Sequence, residues 1–299
     1  MVSVIIPTYN RAKTIERSLN SVLSQTYKDL EVIIVDDGSD DNTKEVVDSV
    51  SDSRVRYYYQ DNQGACCARN LGIDVAKGDY ISFQDSDDVW ISNKLEIQMR
   101  VFEEHKDADI VCCKTRCKRL NGSILLPMKS TPEGFLNETR GPFGISTQTL
   151  VLKKKVTQDI KFDPNVIRYQ DLDFLLSAQA QYSVYCVDKY LVDRFIENDS
   201  ITNHPERVLS MAKYFENKHS KLFEEPNSYI SRFFAGALIE AGREQKGRRE
   251  RITYYKEALA YNNSLRIRIK LLLVISNVYP FYRLAVERID ENKRVKNTN

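Results

Sequence analysis

Three aspartates packed into four positions are the residues whose type and spacing most directly suggest chemistry. Asp85, Asp87 and Asp88 follow the apolar run Tyr80–Phe83, which is typical of a buried strand. Carboxylates two residues apart on a tight turn repel one another, and a hard divalent cation between them relieves that repulsion. A metal at this point predicts a polyanionic ligand. The alternative is an ordinary polar turn in which Asp85 or Asp87 caps the following helix.

Two further polar clusters follow strand-like runs earlier in the chain. Thr8 to Asn10 come after Val2–Ile6, and Asp36 with Asp37 come after Glu31–Val35. Helical and strand-like segments alternate here, which predicts βαβ units and a mostly parallel sheet with helices on both faces. Ligands of such sheets bind beyond the carboxyl ends of the strands, so the three clusters are expected to share one pocket. The other predicted elements of this region are helices over Thr14–Ser24, Thr43–Val50 and Leu71–Ala76 and a strand over Val55–Tyr59.

The pattern becomes less regular from about residue 107. A Gly- and Pro-punctuated stretch, Asn121 to Gly144, suits loops that shape a second binding site. The helix predicted over Gln170–Ala180 carries Asp171 and Asp173 in its first turn, where acids also simply complement the helix dipole. Helical patterns alone follow Pro205, so we expect one domain over 1–203 and a helical region over 204–299. The strands predicted in this part are Ile110–Cys113, Thr149–Leu152, Val184–Val187 and Leu191–Ile196.

The charge of the 299 residues is unevenly distributed. The formal net charge is +2, yet residues 241–299 carry 14 Lys and Arg against 6 Asp and Glu. A basic tail on an acidic body predicts an anionic partner. Three interpretations remain open: a packed helical bundle with solvated basic faces, binding to anionic lipid through 248–283, and, least favoured because no binding motif accompanies the charge, nucleic acid.

The amino terminus and the longest apolar run bear on location. No basic segment precedes the short apolar run at Val2–Ile6, so we expect no signal peptide. Leu271–Ile275 is far shorter than a membrane-spanning helix needs. The expected location is the cytosol, with peripheral association on the inner face of the membrane as an option. The six cysteines include two adjacent pairs and no CxxC spacing, which predicts buried, reduced thiols.

Several stretches, in order, resemble glycosyltransferase family 2, whose members have an A-type nucleotide-sugar-binding fold. The resemblance covers about residues 1–200, and the number of matching stretches makes it specific. It implies an inverting transferase that moves a sugar from a UDP-sugar to a glycan or lipid-linked acceptor. Residues 1–203 would then be its catalytic, nucleotide-sugar-binding domain, with an acceptor-binding subregion from about residue 107. The stretches are Val4 to Arg11, Ser21 to Tyr27, Glu31 to Ser39, Gly64 with Ala68 to Gly72, Gly78 to Ile81, and Asp85 to Asp88.

The resemblance implies roles for the matched nucleotide-binding residues. Pro7 and Tyr9 would line the nucleobase pocket. Asp37 would accept a hydrogen bond from the uracil edge, with Asp36 beside it. Arg69 would lie toward the diphosphate.

The resemblance also implies the metal-binding and catalytic residues. Asp85 and Ser86 would face the ribose, and Asp87, with Asp85 close by, would hold Mg²⁺ or Mn²⁺ bridging the two phosphates. Asp171 matches the acid that acts as general base. A metal ion and Arg69 would stabilise the departing UDP, and Asp171 would deprotonate the acceptor hydroxyl in a single displacement with inversion.

Two positions depart from the family pattern, and two other functions compete with transfer. Gln170 stands where the family has Glu, which should lower the pKa of Asp171 relative to a Glu-Asp pair. Ile196 stands where His is common.

A sugar nucleotidyltransferase would carry a Gly-rich basic loop after its first strand, and this chain does not. A non-catalytic partner subunit that binds UDP-sugar would have no need of Asp85, Asp87 and Asp171.

Overall fold

The structure, a computed structural model, describes residues 1–119, 123–124, 133–136, 144–195, 206–225, 228–245 and 247–276. The chain divides into two compact units, Met1–Ser200 and Ile201–Asn299. Of the predicted loop stretch from Asn121 to Gly144, only short pieces fall within the described residues. Ile196, the predicted boundary near residue 203 and the segment from residue 277 onward lie outside them.

The first unit alternates strands and helices through its first half, as the apolar patterns predict. Its strands are β1 (Val2–Thr8), β2 (Leu30–Asp36), β3 (Val55–Tyr59), β4 (Tyr80–Phe83), β5 (Val89–Trp90), β6 (Ile110–Lys118), β7 (Gly134–Phe135), β8 (Val151–Lys153) and β9 (Val184–Phe195). Its helices are α1 (Ile15–Leu23), α2 (Thr43–Ser49), α3 (Ala65–Val75), α4 (Lys94–Glu104), α5 (Lys154–Asp159) and α6 (Gln170–Gln179).

The strands form one mixed sheet in the order β3-β2-β1-β4-β8-β6-β9-β5, and β7 also pairs with β9. β3, β2, β1 and β4 are parallel neighbours, and β6 and β9 run the same way. The short strands β5, β7 and β8 run in the opposite direction. The predicted mostly parallel sheet is therefore confirmed.

Both faces of the sheet are covered because β1 is apolar on both sides. Val4 and Ile6 join a buried cluster with side chains of α1, α2 and α4. Ile5, between them, joins a second cluster with side chains of α3, α5 and α6. Successive residues of a strand point to opposite faces, which is why a continuous apolar run needs helices on both sides.

Helix α3 lies very close to β1. A Cβ added at Gly72 would stand 2.4 Å from Ile5 Cγ2, so only glycine permits this approach. The helix begins at Ala65, six residues before the predicted start at Leu71. Gly64, with φ +91°, ends the preceding loop, and the small residues after it pack against the sheet. This earlier start brings Arg69 into the helix.

Two strands predicted over Val184–Val187 and Leu191–Ile196 form the single strand β9. The pairing with β6 continues on both sides of the polar residues, with shifts of register between them. Lys114 lies opposite Tyr190, and its side chain pairs with Asp188. The polar interruption is therefore a largely exposed part of one strand, where the sequence pattern predicts two strands.

The described part of the second unit is helical, as predicted. It contains α7 (Glu206–Lys218), α8 (Tyr229–Glu244), α9 (Arg248–Tyr261) and α10 (Leu265–Ile275), with a short 3₁₀ turn at Ser220–Phe223. Its core includes the buried rings of Phe215, Phe234 and Tyr255. Across the described residues of both units, no helix combines the length and apolar character needed to cross a bilayer. All six cysteines are free thiols.

Candidate active site

The three polar clusters open on one edge of the sheet because their strands are parallel and in register. Thr8 lies opposite Asp36, and the Asp37 amide donates to the Thr8 carbonyl over 2.8 Å. The Gln84 amide, just after β4, donates to the Ile5 carbonyl over 2.9 Å. The carboxyl ends of β1, β2 and β4 therefore meet, and this is where such sheets bind ligands.

Asp37 is buried and fixes the loop that leads into α3. One carboxylate oxygen accepts from Gln60 Nε2 at 2.7 Å and from the Gln63 amide at 2.9 Å. The other oxygen accepts from the Gly64 amide at 2.7 Å. A carboxylate oxygen has two lone pairs, so the second oxygen keeps acceptor capacity for a ligand. Gly64 belongs to the stretches that resemble the family, whereas the sequence did not single out Gln60 and Gln63.

Asp36 is more deeply buried than Asp37. Its carboxylate accepts from the Ser39 amide at 2.8 Å and from the Tyr57 hydroxyl at 2.6 Å. Burial, together with the Asp36 carboxylate, raises the pKa of Tyr57 above its ordinary value. Both Asp36 oxygens thus hold the end of β2 in place, and a direct nucleobase contact remains a prediction.

Tyr9 is the most exposed of the predicted site residues, with 46% of its surface accessible, whereas Pro7 is half-buried within β1. The turn after Tyr9 is made by Asn10, which has φ +52°, a left-handed conformation that asparagine tolerates. Asn10 donates its amide to Ser39 Oγ and accepts from the Asp40 amide, over 2.8 and 2.9 Å. These two bonds orient the exposed ring at the sheet edge.

Asp85 and Asp87 present partly exposed carboxylates on the turn after β4, with 31% and 28% of the side chain accessible. The Asp87 carboxylate lies 4.0 Å from Arg11 Nε. Ser86, between them, is buried. Side chains of α1 hold the turn, since Ser18 Oγ donates to the Asp85 carbonyl over 2.9 Å and Arg17 donates to the Asp87 carbonyl.

Asp88 differs from its two neighbours. It is buried, and its carboxylate accepts from Gln148 Nε2 at 2.5 Å and from the Phe195 amide at 2.8 Å. Burial, with the charges of Asp85 and Asp87, raises its pKa well above the ordinary range. Asp88 therefore ties the acidic turn to β9, a function that neither its type nor its spacing indicated.

Arg69 connects the acidic turn to the start of α6. Its two terminal nitrogens donate to Asp85 Oδ1 at 3.2 Å and to Gln170 Oε1 at 2.8 Å. The side chain is 8% accessible, and its guanidinium carbon lies 5.4 Å from the centroid of the Phe162 ring. The expectation that Arg69 lies toward a diphosphate remains a prediction. Gln170, which stands where the family has Glu, thus accepts a hydrogen bond from Arg69.

Asp171 is the second residue of α6, and Tyr169 before the helix has φ +66°. Its carboxylate accepts from the Leu172 amide at 2.8 Å. Burial raises the pKa of Asp171 above its ordinary value, the Leu172 amide and Arg69 oppose that increase, and Asp85 adds to it. Perturbed carboxyl groups of this kind are common among the general bases of enzymes.

The chemistry of the acidic turn fits a hard divalent cation. In the described residues, no group of three His, Cys, Asp or Glu side chains converges on one point. Mg²⁺ is commonly held by one or two carboxylates together with substrate phosphates, which does not require such a group. Asp85 and Asp87 supply two partly exposed carboxylates at the ligand-binding edge. The donor set therefore suits a metal that binds together with a polyphosphate ligand.

Comparison with known proteins identifies the chain's family. The profile described as "Glycosyl transferase family 2" matches residues 3–160, more than half of the sequence. The chain belongs to this family. An uncharacterized glycosyltransferase of Rickettsia felis is 32% identical over 273 residues, which cover 88% of this chain and 44% of that protein. The chain thus spans less than half the length of that relative.

Two further similarities concern characterised proteins. The Escherichia coli UDP-Glc:alpha-D-GlcNAc-diphosphoundecaprenol beta-1,3-glucosyltransferase WfgD is 47% identical over 169 residues, covering 54% of this chain and 64% of WfgD. The structure of S. aureus TarS 1-349 in complex with UDP-GlcNAc superposes with a TM-score of 0.65. At 20% identity, covering 97% of this chain and 92% of that one, this similarity establishes the shared fold.

Proposed function

We propose that this family 2 chain is an inverting glycosyltransferase that moves a sugar from a UDP-sugar to an acceptor hydroxyl, with the help of a divalent cation. The observation that carries the proposal is the Arg69 bridge. It joins Asp85, one of the two metal-binding candidates, to the helix turn that holds Asp171, the candidate base. Donor and acceptor chemistry would thus take place on either side of one buried guanidinium.

In this proposal the sheet edge binds the nucleotide. The exposed Tyr9 ring stacks against the base, and the Asp37 oxygen that accepts from the Gly64 amide also accepts from the uracil edge. Asp85 and Ser86 face the ribose. Two similar proteins support a UDP-sugar as the donor. The structure of TarS 1-349 was solved in complex with UDP-GlcNAc, and the name of WfgD specifies UDP-Glc.

The reacting centre then needs charge stabilisation on one side and a base on the other. A divalent cation held by Asp87 and Asp85 would stabilise the charge of the departing diphosphate. Asp171 takes the proton of the acceptor hydroxyl as that oxygen attacks the anomeric carbon, while the bond to UDP breaks. One displacement of this kind converts an α-linked donor into a β-linked product, the linkage in the name of WfgD.

The proposed acceptor is a sugar carried on a lipid diphosphate. The support is the WfgD name, which specifies an acceptor linked to diphosphoundecaprenol. An acceptor of this class predicts that the chain works in the assembly of a polysaccharide or other glycan close to a membrane.

The direct test is a donor screen with the purified chain. UDP release is measured with UDP-glucose, UDP-N-acetylglucosamine, UDP-galactose and GDP-mannose, each with Mn²⁺, Mg²⁺ or EDTA, in the presence of a GlcNAc-diphosphate lipid analogue. We expect UDP release that requires one UDP-sugar, the acceptor and a metal. Release that is absent with every UDP-sugar would contradict the proposal, and release unaffected by EDTA would contradict its metal dependence.

The metal assignment has its own test in Asp87→Ala. We expect this variant to lose the metal-dependent part of UDP binding, because Asp87 offers a partly exposed carboxylate at the ligand-binding edge. Titration calorimetry with UDP, with and without Mn²⁺, measures it. Asp79→Ala is the matched control, since Asp79 is an exposed acid just before β4, at the opposite end of that strand. Equal metal enhancement in both variants would remove Asp87 from the site.

A further inference from the structure

Helix α10 of the second unit exposes a stripe of large apolar side chains, Leu265, Ile269, Leu272 and Ile275. Their spacing of four, three and three residues places them on one side of the helix. Leu265 is 72% accessible and Leu272 is 62% accessible. Apolar residues at this spacing normally face a protein core, so an outward-facing stripe of this kind indicates an interaction surface.

The outward direction of the stripe follows from how α10 is packed. Ile267, Lys270 and Val274 are buried on the opposite side of the helix. Arg248, from the start of α9, donates to the carbonyls of Val274 and Ile275 at the end of α10. These contacts fix the rotation of the helix about its own axis, so the stripe cannot turn inward without exposing Val274 and Ile267.

The charge beside the stripe is positive. Arg266 and Arg268 are exposed next to it, and α10 contains no acidic residue. Lys270 does not contribute to this surface, because it is buried and burial lowers its pKa. A helix with an exposed apolar stripe and flanking arginines has the composition of an interfacial, membrane-surface helix.

We propose that the outer face of α10 docks on a bilayer that contains anionic lipid. The four apolar side chains enter the boundary between headgroups and acyl chains, and Arg266 and Arg268 pair with lipid phosphates. A second copy of the chain fits this surface less well, because a symmetric contact would bring the same arginines of both copies together. The choice of occupant rests in part on the proposed function, whose acceptor is lipid-linked, whereas the binding itself does not require catalysis.

The test is co-sedimentation of the full-length chain with vesicles. The parent is compared on vesicles of phosphatidylcholine alone and of phosphatidylcholine with phosphatidylglycerol, at low and high salt. The stripe variant is Leu265→Ser with Leu272→Ser, and its matched control is Leu265→Met with Leu272→Met, which keeps the surface apolar. The charge variant is Arg266→Gln with Arg268→Gln. Its control, Arg249→Gln with Lys256→Gln, removes two exposed charges of α9.

We expect the parent and both controls to bind the anionic vesicles at low salt and to be released by high salt. The charge variant should bind about 25-fold more weakly, at roughly fivefold for each basic residue near the surface. The stripe variant should bind at least about tenfold more weakly. Circular dichroism and UDP release with a water-soluble acceptor should match the parent for every variant, which shows that the chain is folded.

Three results would overturn the proposal. The first is a parent chain that fails to bind anionic vesicles at low salt. The second is unchanged binding of a folded chain that carries the two Ser substitutions. The third is a dimer, seen by sedimentation equilibrium, that the two Ser substitutions abolish. Failure of the proposed function has a different signature. A chain that binds vesicles through α10 but releases no UDP from any donor retains this surface and loses the transfer activity.

Discussion

Arg69 is the residue on which the two halves of the candidate site depend. It is buried, and its guanidinium contacts both Asp85 after β4 and Gln170 at the start of α6. Where burial excludes most of the solvent, a fixed positive charge strongly lowers the pKa of neighbouring carboxyl groups. The electrostatics of Asp171 and the position of the acidic turn are therefore linked through one side chain.

The first prediction at this scale concerns Asp171→Asn. The substitution keeps the size of the side chain and its bond to the Leu172 amide but removes the proton acceptor. We expect donor binding close to that of the parent and a loss of about 10²–10⁴-fold in transfer rate, the usual contribution of a positioned base. Calorimetry with UDP and single-turnover transfer measure the two quantities. Transfer at the parent rate would leave Asp171 as an acid that merely complements the helix dipole.

A second prediction follows from the raised pKa of Asp171. The base acts when deprotonated, so the transfer rate should fall as pH decreases through a value above that of an ordinary carboxyl group. Arg69→Met removes a positive charge that lowers the pKa of Asp171, so this acidic limb should move to higher pH. Arg69→Lys keeps the charge and should leave the limb near its parent position. Identical pH profiles for the Met and Lys variants would show that Arg69 does not act on the base.

At the residue scale the motifs predicted where Asp37, Asp85 and Asp87 lie, but not what they contact. Asp37 accepts hydrogen bonds from Gln60 and Gln63, which lie outside every matched stretch, as well as from Gly64. Lys94 is a sharper example. It is fully buried over the Trp90 ring, and burial lowers its pKa to about 8. Lysine is almost never fully buried without a partner, so no pattern in the sequence could predict this.

At the scale of secondary structure, the close packing of α3 on β1 positions Arg69. The approach depends on Gly72, whose added Cβ would meet Ile5 Cγ2 at 2.4 Å. Because Ile5 lies in the middle of the central strand, neither the backbone nor the side chain can move far without disturbing both faces of the sheet.

Gly72→Ala is accordingly predicted to destabilise the first unit by about 1–3 kcal/mol, the usual cost of overpacking. That corresponds to a decrease of roughly 2–10 °C in melting temperature. The matched control is Gly236→Ala in α8, where an added Cβ meets nothing within 4 Å. Alanine should be neutral there or stabilise the helix by up to about 1 kcal/mol. Thermal unfolding followed by circular dichroism measures both, and equal effects of the two changes would contradict the close packing.

The elements themselves were predictable where the apolar pattern was regular. Val55–Tyr59 and Tyr80–Phe83 have the bounds expected from the sequence. The errors fall where tertiary contacts override local pattern. Helix α3 begins early because small residues from Ala65 pack on the sheet, and β9 continues through its polar centre because β6 pairs with it.

For the whole molecule, the excess of positive charge lies in the part of the sequence that contains α10. Residues 241–299 contain 14 Lys and Arg against 6 Asp and Glu, although the entire chain is close to neutral. Helix α10 combines two exposed arginines with an exposed apolar stripe. If the acceptor is carried on a lipid, the same bilayer would hold both the acceptor and this part of the chain, which raises their effective concentration.

The last prediction compares two acceptors in one assay. Transfer to an acceptor embedded in vesicles should be faster when the vesicles contain phosphatidylglycerol than when they contain phosphatidylcholine alone. The gain should disappear at about 1 M salt, where the Debye length falls to about 3 Å. Transfer to a water-soluble acceptor with the same sugar, measured in parallel, accounts for any effect of salt on donor or metal binding.

Replacing Arg266 and Arg268 with Gln should remove the gain on anionic vesicles while the soluble reaction keeps its rate, because the charges at α10 act on location and not on the reacting atoms. A gain that persists in this variant would place the membrane-binding charge elsewhere in the chain.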